Sequence, residues 1–205
     1  HNDYNIWVYP PKVDTSVPKG VIIAESFKAE KTQKHLKKGG RVLLLPELDK
    51  LPHSVKGGFQ SDFWSPMFAE SARRRGLPTP PGTLGFLCDP EHPALSEFPT
   101  DFHTDWQWWH LLKNSRPIKF DDTADEYRPT VQMIDGFVRN SKLGLIAETK
   151  VGKGKMLICA IDLLSIQEQP EARQLLHSLL EYAGSDKFAP DYEIDMDVLK
   201  KLFPK

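Results

Sequence analysis

The sequence predicts an α/β domain built on an open, three-layer, mixed and mostly parallel sheet. Three observations carry this. A stretch of good helix formers, the pair Gly39-Gly40 and the apolar run Arg41-Val-Leu-Leu-Leu45 follow one another, which is the order helix, turn, strand buried on both faces. Short apolar runs alternate with helical patterns along most of the chain. Two strand-like runs joined through Val151-Gly-Lys-Gly154 then form a hairpin, so one part of the sheet is antiparallel.

Taken in order, residues 5–9 read as an aromatic and β-branched strand stopped by Pro10-Pro11, and Val21-Ile22-Ile23 as a second strand after the Pro18-Lys19-Gly20 turn. Residues 25–38 read as a helix with lysines crowding its last turn, where they complement the dipole. Residues 46–81 are irregular apart from a short helix over 66–75. Residues 83–88 return as a strand broken by Asp89-Pro90. Thr104 and Gln107 have the spacing of a capping box, which opens a helix over 105–113 carrying three of the five tryptophans. Strands follow at 118–120, 131–134, 143–148 and 155–161. The last long helix is opened by Pro170 and closed by Gly184, and its apolar residues Ala172, Leu175, Leu176, Leu179, Leu180 and Ala183 keep one helical face. This divides the chain into 1–19 as a linker or joining strand, 20–184 as the α/β domain and 185–205 as a charged, loosely attached tail.

Composition narrows the partners. At 205 residues the chain buries roughly 70% of its unfolded surface, so it needs neither disulfide nor metal to fold. Lys plus Arg total 27 against 28 for Asp plus Glu, a balance that gives no field for nucleic acid or an anionic membrane. Arg73-Arg74-Arg75 is a basic cluster too narrow to change that. No apolar run approaches the roughly 18–20 residues that span a bilayer. Cys88 and Cys159 sit in apolar runs, where free, buried thiols are expected. The aromatic strand so close to His1 makes the chain read as an excerpt of a longer polypeptide.

No catalytic constellation emerges. A nucleophile elbow needs small neighbours around a Ser or Cys at a strand end; Cys88 ends a strand, but Leu87 and Pro90 flank it too bulkily. Gly152-Lys-Gly-Lys155 lacks the spacing of a phosphate loop and lies between strands. Asp101, His103 and Asp105 alternate as metal ligands might be spaced only on extended backbone, and the competing reading, in which they cap and brace a turn, is preferred. Neither a metal nor another cofactor is expected. The tryptophans offer two readings. Trp106 and Trp109 share a helix face and point to core or interface, whereas Trp108 points elsewhere and, with Trp64, His103 and Asp105, can form a wall on which a sugar ring packs.

The stretches Gly82-Thr-Leu-Gly-Phe-Leu-Cys-Asp-Pro-Glu-His-Pro-Ala-Leu95, Phe98-Pro-Thr-Asp-Phe-His-Thr-Asp-Trp-Gln-Trp-Trp109 and Gly152-Lys-Gly-Lys-Met-Leu-Ile-Cys-Ala-Ile-Asp162 resemble the C-terminal region of bacterial glycoside hydrolase family 2 proteins, which are β-galactosidase-like multidomain enzymes. The resemblance covers residues 20–184. It implies a flavodoxin-like, class I glutamine-amidotransferase-like sheet without an active site. It also implies that the two catalytic glutamates lie in a barrel elsewhere in the parent. The expected role is a non-catalytic accessory domain that packs on the upstream catalytic domain of the same polypeptide or on a second copy. The alternatives are a carbohydrate-binding module using the Trp106–Trp109 region, and a free-standing hydrolase.

Overall fold

The computed structural model describes residues 5–59, 71, 74–76, 83–136 and 139–204. The first strand β1 (Val21–Ala24), helix α1 (Glu30–Lys37) and strand β2 (Arg41–Leu44) form a parallel β-α-β unit. After the 3₁₀ turn Leu48–Lys50 come β3 (Thr83–Cys88), the 3₁₀ turns Pro93–Leu95 and Trp106–Trp108, and the short helix α2 (Trp109–Lys113). Strands β4 (Ile118–Lys119), β5 (Val131–Asp135), β6 (Lys142–Val151) and β7 (Gly154–Cys159) follow, then helices α3 (Pro170–Gly184) and α4 (Met196–Leu202).

Among the described residues the strands form one open sheet in the order β1-β2-β7-β6-β5-β3, with β4 paired to β6. Only β1–β2 and β2–β7 are parallel; the β7–β6, β6–β5, β5–β3 and β4–β6 pairs are antiparallel. The sheet is therefore mixed, as expected, but not mostly parallel. The 151–154 turn, with Gly152 at φ +59, folds β7 straight back on β6; β5 runs antiparallel to β6, which follows it in the chain, and β3 joins antiparallel to the distant β5.

The period of two in β2 shows the three layers. Val42 and Leu44 point to one face, where Leu36 of α1 and Leu199 and Leu202 of α4 cover them, all buried. Leu43 and Leu45 point to the other, into the core that Leu175 and Leu179 of α3 share and that continues to Phe98 and Trp108. A strand buried on both faces reads as a continuous apolar run, as 41–45 does. Helix α3 matches expectation from Pro170 to Gly184, and the six apolar positions of its stripe are each at most 3% exposed. Full burial of each leucine there stabilises by about 1.5–3 kcal/mol.

Four expectations are corrected. Helix α1 begins at Glu30, not at residue 25, because residues 25–29 loop to bring Phe27 into the lower core against Phe203, with ring centroids 6.1 Å apart. Residues 5–9 make no strand: Ile6 and Val8 are 84% and 86% exposed, and Tyr9 anchors the segment by stacking on Phe98 at 6.1 Å. The C-terminal segment is not loosely attached. Phe188, Ile194, Leu199, Leu202 and Phe203 are buried, and Ile194 N donates to Thr149 Oγ1 at 2.8 Å. Asp195 caps α4 by accepting from Asp197 N and Val198 N. The tryptophan helix, finally, starts as a 3₁₀ turn.

Both cysteines are free, on strands separated by β5 and β6. No helix among the described residues is long and apolar enough to cross a membrane.

Candidate functional site: an aromatic cleft beside the tryptophan turn

The Phe98 to Trp109 stretch is tied together by its own side chains. The N-cap of the 3₁₀ turn is Asp105, not Thr104: Asp105 Oδ1 accepts from Gln107 N at 3.0 Å, and its Oδ2 accepts from Thr100 Oγ1 and Asp101 N. Thr100 Oγ1 in turn accepts from Trp108 Nε1 at 2.8 Å, and Gln107 Nε2 donates to Pro99 O at 2.9 Å. Burial pushes the Asp105 carboxyl above its ordinary range, against the hydrogen bonds that hold it down. Thr104 has another task. Its Oγ1 accepts from Phe86 N at 2.9 Å, beside the β3 bulge at Gly85, where φ is +127 and a Cβ would meet that oxygen at 2.7 Å. Only glycine suits that position.

This frame inverts the expected tryptophan arrangement. Trp108 is fully buried, packed edge-on against Phe98 at 5.2 Å and on Phe86 at 4.5 Å, while Trp106 is 63% exposed and Trp109 half-buried. Trp108 shares its face with Leu111 and Leu112 at i+3 and i+4, all three fully buried, so this is the inward stripe and Trp106 and Trp109 lie on the open side. Trp106 lies on Phe59, ring centroids 5.3 Å apart, and Trp109 meets Phe59 edge-on at 5.0 Å.

Of the other expected site residues, Asp105 sits in the frame and His103 is exposed on the sheet margin, where residue 103 bridges to Leu87 and its Nδ1 contacts Thr104 O at 3.1 Å. The structure brings Trp106 and Trp109 together on the open side, ties Asp105 and Trp108 into the frame behind them through Thr100, and leaves His103 outside. Trp64, with Phe63 and most of the expected 66–75 helix, lies outside the described residues.

Trp106 and Trp109 form one wall of a cleft of about 560 Å³. Residues 5–9 form the opposite wall through Ile6, Trp7 and Tyr9, and Gln107, His110 and Glu171 supply polar groups. The Tyr9 hydroxyl donates to Gln107 Oε1. Burial, then Asp105 and Glu171, push its ionisation well above the usual tyrosine range. His110 Nδ1 and Glu171 Oε1 are 2.6 Å apart, with the carboxylate largely buried and the imidazole partly open. Glu171 stands in the first turn of α3, where the helix dipole favours a negative charge. Tyr9, His110 and Glu171 escape sequence reasoning because they are 98 and 61 residues from the partners they meet here. The one local signal was His110, four residues after Trp106 on the same short helical run.

A second cleft, about 390 Å³, opens at the carboxyl ends of the parallel strands, between Leu45 to Asp49 and Ile161 to Ser165. This is where open α/β sheets hold ligands. Its carboxylates, Glu25, Glu47, Asp49 and Asp162, are all exposed; Glu47 pairs with Lys50 at 2.7 Å and Asp162 Oδ1 accepts from Ser165 N. Ser165 is the hydroxyl in its lining, and among the described residues no histidine lines the cleft to activate it. Cys88 is at the end of β3, across the sheet, and burial with Asp105, Asp89 and Asp101 pushes its thiol up to about 12, so it carries no thiolate at neutral pH. Among the described residues no three His, Cys, Asp or Glu side chains gather as a metal site.

These features define a three-layer α/β domain with a mixed, open sheet and a side cleft walled by aromatic rings. The chain belongs to the family described as Domain of unknown function (DUF8487), whose model matches residues 22–204. No curated protein matches it.

Proposed function

We propose that this chain is a non-catalytic accessory domain of a family 2, β-galactosidase-like glycoside hydrolase, with a rearranged flavodoxin-like sheet of the amidotransferase-like type. In this reading its work is docking on the parent's catalytic module. One observation carries it most: four of the large apolar side chains left open to solvent, Ile6, Leu87, Phe102 and Trp106, lie on one flank. Ile6 and Trp106 border the same cleft, Phe102 (59% exposed) and Leu87 (48%) lie on neighbouring backbone, and Asn5 Nδ2 donates to Asp101 to tie the two groups together. Contiguous exposed apolar area of this kind marks an interaction surface. The sequence resemblance supplies the partner. The protonated Cys88 thiol and the dispersed carboxylates of the strand-end cleft support a role without bond cleavage.

The test is association in trans. The parent's barrel module, produced separately, is expected to bind this chain in a calorimetric titration, with Phe102→Asp weakening the complex by about tenfold or more. The chain alone is expected to turn over no chromogenic β-galactoside. Turnover by the chain alone, or no association with the barrel module, contradicts the proposal.

A further inference from the structure

We infer that the cleft between residues 5–9 and the tryptophan turn is a binding site for a neutral pyranose sugar. This goes beyond docking on a catalytic module; it shares Ile6 and Trp106 with the docking flank, and titration of the chain with sugars in the absence of any barrel module tests it apart from that reading.

Two surfaces of the cleft match the two kinds of surface on a sugar ring. One face of the Trp106 indole lies on Phe59, and the ring remains 63% exposed toward the cleft. Supported from behind, it offers a flat, rigid apolar platform at small entropic cost. Trp109, held edge-on to Phe59 at 5.0 Å, extends the same wall.

The polar side of the cleft offers hydrogen-bonding groups. Facing a carboxylate at 2.6 Å, His110 Nδ1 donates, which leaves Nε2 to meet a ligand as an acceptor in the neutral ring or a donor in the charged one, with Glu171 Oε2 as an acceptor beside it. Neither His110 Nε2 nor Glu171 Oε2 makes a hydrogen bond within the protein among the described residues. Gln107, by contrast, is occupied: its amide nitrogen donates to Pro99 O and its oxygen accepts from Tyr9. A ligand that fits must therefore bring hydroxyls on one edge and an apolar face on the other. A pyranose ring has both, its axial C–H groups making the face and its hydroxyls the edge. At about 560 Å³ the cleft is within the roughly 300–1,000 Å³ typical of small-ligand sites.

Charge decides the sugar class. Among the described residues no lysine or arginine lines the cleft; Lys113, whose ammonium sits 4.7 Å from the Trp109 ring centroid, is not in the lining. Glu171 lines the cleft, and Asp105 lies directly behind Gln107. A carboxylated or phosphorylated ring would meet negative charge without a counterion, which low local dielectric makes costly.

The test uses the chain alone, titrated with methyl β-galactopyranoside, cellobiose and methyl β-glucuronide and followed by calorimetry and tryptophan fluorescence. Saturable binding of at least one neutral sugar with a tryptophan emission shift is expected, and glucuronide binding weaker by about tenfold or more. Trp106→Ala should abolish the shift and weaken binding by about tenfold or more, Trp106→Phe should restore part of it, and Glu171→Gln should weaken it several-fold. Circular dichroism of each variant separates lost binding from lost fold. No saturable signal up to the solubility of the neutral sugars overturns the inference, as does binding that survives both Trp106→Ala and Glu171→Gln. Glucuronide bound as tightly as the neutral sugars overturns the charge argument.

Discussion

The two clefts of this molecule contrast in a useful way. The strand-end cleft sits where the fold usually places its chemistry, at the carboxyl ends of β2 and β7, yet its carboxylates are exposed and two are engaged in a turn and a lysine pair. The tryptophan cleft sits off the sheet's side, on an irregular segment, yet it has ordered rings, a largely buried carboxylate and polar atoms left open. The fold's customary location and the built features have come apart. Function is argued from the site and not from the architecture, and here that moves attention from the strand ends to residues 98–110 and their partners.

The contrast can be broken or sharpened by substitution. The largest effect is expected at Trp108. Trp108→Ala removes a fully buried ring and the Nε1 donor to Thr100, and should cost about 3–5 kcal/mol in urea unfolding. Next comes alkaline stability. Burial pushes Cys88 and Cys159 up to about 12 from an ordinary 9.0, and Tyr9, Tyr127 and Tyr182 also shift upward from 10.0. These groups stay protonated in the folded chain after the unfolded chain has lost its protons. Stability is therefore at full value below about pH 9 and falls as pH rises toward 12, readable as a dropping melting temperature. Trp106→Ala should change stability by no more than about 0.5 kcal/mol, so a large loss there would mean that the exposed ring is part of the core. The smallest effects belong to the strand-end cleft. Glu47→Gln and Asp49→Asn should each stay within about 0.5 kcal/mol in thermal unfolding, and a larger change would show that cleft to be more highly built than its geometry indicates.

Legibility in the sequence followed the distance over which each feature is determined. Helix α3 was readable because Pro170, Gly184 and an uninterrupted 3.6-residue stripe are local signals. Strand β2 was readable because burial on both faces writes a continuous apolar run. The direction of β3 and β5 was not, since strand pairing is set between segments some fifty residues apart. The tryptophan turn was located correctly but its inward face was inverted: the i, i+3 pair Trp106 and Trp109 competes with the i, i+3, i+4 stripe Trp108, Leu111 and Leu112, and the longer stripe is the one that is buried. Residues 5–9 have strand composition, yet no sheet edge pairs with them, and the tryptophan turn captures Tyr9 instead. The C-terminal segment reads as charged and loosely attached because its apolar residues are separated by charged ones, yet Phe188 joins the core under α3 and Ile194, Leu199, Leu202 and Phe203 join the core under α1.

The most direct test of which cleft carries the function is to follow the backbone amide and indole N–H chemical shifts of the chain as methyl β-galactopyranoside is added. The account predicts saturable shifts at the Trp106 indole and at the amides around Gln107, His110 and Glu171, with Glu47 and Asp162 unmoved. Shifts centred on Glu47 and Asp162, or none at the Trp106 indole, would contradict it.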